Sequence, residues 1–109
     1  MFFRRKPKLT KEQQDNVVRW LVRGYDPITS VEFIHFSKDF KTGMFFLSFE
    51  LNSDEKYRTT IFLKTMAEFD ESEGVLGLGP VDQFDDLDRQ TCLPEELNVD
   101  ISQVNIIYL

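Results

Sequence analysis

Three runs of alternating residues, at 30–37, 44–51 and 57–64, constrain this chain most. In the second, Phe45, Leu47, Phe49 and Leu51 share one face, while Met44, Phe46, Ser48 and Glu50 share the other. In the third, Tyr57, Thr59, Ile61 and Leu63 alternate with Arg58, Thr60, Phe62 and Lys64. A period of two marks half-buried strands. The connections, 38–43 and 52–56, are short and rich in turn formers. A parallel crossover needs about a dozen residues or more, so these strands must pair as antiparallel hairpins.

An amphipathic helix is expected over 11–23. Thr10 reads as its N-cap and Gln13 as the reciprocal partner of a capping box. Glu12 and Asp15 suit the positive end of the helix dipole, and Arg19 and Arg23 the negative end. Val17, Val18, Leu21 and Val22 form an apolar face that can cover the meander. Gly24 and Pro27 end the helix. Residues 101–109 read as a fourth strand with Val104, Ile106 and Tyr108 on one face. At 109 residues the chain suits one domain, 1–109, able to bury roughly 65% of its unfolded surface. The expected fold is α+β: an N-terminal helix packed on a four-stranded, mostly antiparallel sheet.

Between the third and fourth strands the pattern weakens. Residues 66–70 suit a short helical turn. An irregular acidic segment then runs over 71–98, broken by Gly74, Gly77, Gly79 and Pro80. Such a long structureless stretch is unusual in a small domain, so short helical pieces are expected near 81–87 and 94–97. Val75, Leu76, Leu78, Phe84 and Leu87 are its expected apolar anchors.

Charge divides the chain. The net of -6 is the sum of +4 over residues 1–49 and -10 over residues 50–109. Arg4, Arg5, Lys6, Lys8 and Lys11 make residues 1–9 and their flank a basic arm. From Met66 to Asp100, eleven acids face Arg89 alone. Such asymmetry bears on partners, not on fold.

Few constellations carry chemistry. His35 and Cys92 are the only His and Cys, so no internal disulfide forms, and no elbow motif supports a nucleophilic pair. A structural zinc site wants four such ligands. Asp82, Asp85, Asp86 and Asp88 form an oxygen-rich D-x-x-D-D-x-D run, but its spacing is not that of a calcium loop; a solvated acidic face is the simpler reading, and no metal is assigned. The G-V-L-G-L-G-P stretch lacks the Lys and Ser/Thr of a phosphate loop. Paired carboxylates occur without a cleft pattern that would favour glycosidase chemistry. No catalytic residues and no cofactors are expected.

The basic arm invites two further readings. Arg4, Arg5, Lys6 and Lys8 suit phosphate contact, with Phe45, Phe49 and Tyr57 as a stacking platform. The negative total disfavours nucleic acid, and a core role accounts for the aromatics. Alternatively, Met1-Phe2-Phe3 before Arg4-Arg5-Lys6 resembles the end of an apolar segment at its basic flank. The arm would then lie on anionic lipid or follow a removed anchor. The location stays open between the cytoplasm and a membrane-tethered extracytoplasmic position.

Ile28-Thr29-Ser30-Val31-Glu32-Phe33, Thr42-Gly43, Leu51-Asn52 and Lys56-Tyr57 form a recognisable order. Over about residues 15–65 the chain resembles small uncharacterised domains of Gram-positive bacteria, often tethered as lipoproteins. The resemblance implies a helix before strands and an exported setting, and it brings no catalytic residues. The functional expectation is a non-catalytic protein-binding module, immunity- or inhibitor-like. Asp82, Phe84, Asp85, Asp86 and Asp88 would meet a basic protein partner. A membrane-tethered extracytoplasmic domain is the alternative. A homodimer through a free sheet edge is a further expectation.

Overall fold

The computed structural model describes residues 8–79, 81–89 and 91–109. Arg4, Arg5 and Lys6 lie outside them; Lys8 is described and exposed. Helix α1 (Lys11–Gly24) starts at Thr10, as its capping box requires. The Gln13 N–H donates to the Thr10 hydroxyl at 3.0 Å, and the Thr10 N–H donates to Gln13 Oε1 at 2.9 Å. Two free donors of the first turn are thereby satisfied.

Four strands follow: β1 (Ser30–Lys38), β2 (Phe45–Leu51), β3 (Arg58–Leu63) and β4 (Asn105–Ile107). Their order is β3-β2-β1-β4. The two short connections give antiparallel pairs, β1–β2 and β2–β3. β4 instead joins β1 in parallel, after the long excursion supplies the crossover. The fold is thus α+β, with a mostly antiparallel, mixed sheet.

The inner sheet face follows the alternation. Val17, Val18 and Leu21 of α1 share a fully buried core with Val31, Leu47, Phe49 and Leu51. Each such side chain contributes about 1.5–3 kcal/mol by leaving water. A bulge between Phe33 and His35 shifts the phase of β1. It lets Phe33 pack on Phe49 and Phe36 pack on Phe45 and Phe69. On the outer face Arg58 donates twice to Glu50 Oε2, at 3.1 and 2.8 Å, and Phe62 meets Phe46 edge-on.

Asn52 and Ser53 turn β2 toward β3 with positive φ, 56° and 54°. Asn tolerates this conformation better than most residues. The Asn52 carboxamide also ties the β1 entrance. Its Oδ1 accepts from the Thr29 N–H at 2.8 Å, and its Nδ2 donates to Pro27 O at 2.9 Å.

The region between β3 and β4 departs from expectation in several places. The 3-10 turn Met66–Asp70 forms as expected and buries Phe69. A second 3-10 turn covers only Val81–Phe84, with simple turns after it. Residues 94–97 make one turn, closed by the Leu97 N–H on Pro94 O, rather than a helix. β4 is shorter than 101–109, because Asp100 accepts the Ser102 N–H and bends the chain before Val104. Leu78, Phe84 and Leu87 are core residues, while Val75 and Leu76 are half-buried. The acidic segment is therefore built into the core through its apolar positions.

Candidate functional site

Asn16, Trp20 and Arg23 lie at i, i+4 and i+7 and so share one edge of α1. All three are buried, and each donates to a main-chain carbonyl of the excursion. Asn16 Nδ2 reaches Phe69 O at 2.8 Å, Trp20 Nε1 reaches Glu71 O at 2.8 Å, and an Arg23 terminal nitrogen reaches Gly74 O at 2.9 Å. Residues 69–74 are thus strapped along the helix. Arg23 has no carboxylate within ion-pair distance among the described residues. Its charge is solvated by carbonyls, since Nε and the other terminal nitrogen both donate to Leu97 O. Burial lowers its pKa, yet a guanidinium stays protonated at neutral pH.

The rest of the excursion closes the helix C-terminus, where four carbonyls lack helical partners. The Leu93 N–H donates to Arg23 O at 2.9 Å and the Arg89 N–H to Gly24 O at 3.1 Å. Arg89 Nε takes Val22 O at 3.0 Å. A bridge between Tyr25 and Asp88 continues this docking. Gly24 suits this close approach, because a Cβ would stand 3.2 Å from Leu76 O and 3.3 Å from Val75 Cγ1, tighter than ordinary contact.

A cleft of about 240 Å³ opens where these pieces meet. Tyr25, Leu76, Leu78, Phe84, Asp88 and Cys92 are among the residues that line it. The Tyr25 hydroxyl accepts the Leu78 N–H at 2.8 Å. Burial pushes the pKa of Tyr25 upward; the Leu78 N–H opposes this and Asp88 reinforces it. The phenol is therefore neutral at physiological pH.

No family model, curated protein or solved structure matches the chain. Its function must be read from these residues. Asp85, Asp86 and Asp88 are exposed, as a contact surface requires. Asp86 accepts Lys56 Nζ at 2.9 Å, and this contact lowers its pKa. Asp85 and Asp88 make no ion pair among the described residues. Asp82 is in the Val81–Phe84 turn. Phe84 needs correction: it is 1% exposed and packs on Tyr25 and Tyr57, so it supports the surface from beneath. Apolar burial outweighs any role at the interface for such a ring.

Other sequence readings also find their place. Phe45, Phe49 and Tyr57 are buried and offer no stacking platform. His35 stands on the outer sheet face opposite Ser48, whereas Cys92 lines the cleft, so they form no pair. Among the described residues no three His, Cys, Asp or Glu side chains come together around a cation position. The strap residues were missed as a site-building set. Their signal was polar side chains at helical spacing beside the apolar face, which is also the pattern of an ordinary solvated helix edge.

Proposed function

We propose that this chain is a non-catalytic protein-binding module, inhibitor- or immunity-like, that meets a basic partner through residues 85–88 and the acids around them. The supporting observation is that Asp85 and Asp88 are exposed and make no ion pair among the described residues, on a segment tied to the end of α1 by main-chain hydrogen bonds from Arg89 to Gly24 and from Asp26 to Leu87. A surface held in one conformation loses little entropy on binding. Unpaired acids around it accelerate encounter with positive proteins. Tethering of Asp86 by Lys56 leaves part of the acidic charge locally matched.

The test is association kinetics. A partner is captured with the wild-type chain, then measured against Asp85→Lys/Asp88→Lys. The reversed chain should associate about tenfold more slowly at low salt, with a shallower dependence on ionic strength. Equal association rates for the two chains would remove the acidic surface from the interface.

A further inference from the structure

We infer that the cleft at the C-terminus of α1 receives one arginine side chain of the basic partner, an inference that rests on the acidic-surface reading. Two features select this occupant. The walls are apolar or aromatic, from Leu76, Leu78, Tyr25 and Phe84, and suit a hydrocarbon stem. Asp88 lines the same space and makes no ion pair among the described residues.

An apolar side chain seated there would desolvate the Asp88 carboxylate without compensation. An acidic one would be repelled. A planar guanidinium is more weakly hydrated than an ammonium and can pair with a carboxylate through two nitrogens, so arginine suits an apolar lining beside Asp88 better than lysine does. Arg89, which follows Asp88 in the chain, is already engaged, since its Nε donates to Val22 O and a terminal nitrogen faces Asp26 at 3.9 Å.

Two neighbours make the idea measurable. Cys92 is the only thiol, is exposed and lines the cleft, so its alkylation reports occupancy. Gly77 also lines it, and a Cβ there would meet nothing within 4 Å. Gly77→Val therefore adds bulk at the cleft lining without a clash at its first atom.

The experiment follows alkylation of Cys92 by iodoacetamide in the full chain. The probes are acetylated, amidated tripeptides Gly-X-Gly in which X is arginine, lysine, citrulline or leucine. The arginine peptide should slow alkylation saturably, by about fivefold or more, because a filled cleft hides the thiol. Lysine should protect less, and citrulline, which keeps the shape without the charge, should not protect. Asp88→Asn and Gly77→Val should each abolish protection while retaining the wild-type circular dichroism spectrum. The isosteric Asp88→Asn serves if Gly77→Val fails to fold. Equal protection by arginine and citrulline, or none by arginine, overturns the inference. If arginine fails to protect while Asp85→Lys still slows partner association, the cleft is wrong and the acidic surface stands. If arginine protects and the reversal changes nothing, the wider reading fails instead.

Discussion

Arg23 and Leu97 lie 74 positions apart, and two guanidinium nitrogens of Arg23 donate to the Leu97 carbonyl, at 3.0 and 2.8 Å. A third contact joins Arg23 to Gly74. One helix residue thus holds both ends of the acidic excursion. Hydrogen bonds from a charged donor are each worth about 1.5–3 kcal/mol, and desolvation of the guanidinium offsets part of this. Arg23→Met should cost about 2–3 kcal/mol in urea unfolding, with Arg23→Lys between it and the wild type. Hydrogen exchange should show the Gly74 and Leu93 amides losing protection while β1–β3 keep theirs. Uniform loss across the sheet would mean that the strap and the sheet unfold together.

Phe84 and Asp85 are neighbours with opposite surroundings, one 1% exposed and the other in solvent. Phe84→Ala should lower stability by about 3–5 kcal/mol through lost burial and a cavity. Asp85→Lys should change it by less than about 0.5 kcal/mol. Denaturant midpoints at constant slope check both. A small loss for Phe84→Ala would return that ring to the surface.

The Tyr108 hydroxyl donates to Asp15 Oδ1 at 2.5 Å. Burial first, and then this bond to a carboxylate, pushes the Tyr108 pKa from 10.0 up to about 12. The fold favours the neutral phenol, so the stabilisation is complete below pH 10 and is lost as pH rises through about 12. Phenolate absorbance should show a late step that Tyr108→Phe removes. Tyr108→Phe should also flatten the fall in stability over the same window.

Asn52 combines a left-handed backbone with a side chain that binds Thr29 and Pro27. Asn52→Gly keeps the backbone freedom and loses the bonds, whereas Asn52→Ala loses both. Thermal melts should rank wild type above Asn52→Gly and Asn52→Gly above Asn52→Ala, with about 2 kcal/mol separating the extremes. Equal stability of the two variants would assign the whole effect to the side chain.

The helix, the three-strand meander and the inward positions of β2 were legible because each depends on neighbours within a few residues. Thr10 and Gln13 cap each other across one turn, and Phe45, Leu47, Phe49 and Leu51 repeat with the strand period. The site was less legible. Asp85, Asp86 and Asp88 are exposed, but Phe84, also expected as an apolar anchor, was grouped with the acids because it stands between Asp82 and Asp85. Phe84 ends the 3-10 turn and is buried while Asp85, just beyond it, is exposed, so sequence proximity does not define a surface.

By itself the sequence determined the helix, the antiparallel hairpins and a charge pattern that sets the acids in the second half. Only the tertiary structure decided that β4 lies parallel to β1, and that Arg89 and Leu93 dock on the end of α1. Local alternation cannot choose a strand's neighbour, and a carbonyl is the same acceptor at every residue. Which carbonyls Asn16, Trp20 and Arg23 meet depends on where the whole chain returns. That same return brings Tyr25, Leu78, Asp88 and Cys92 around one cleft.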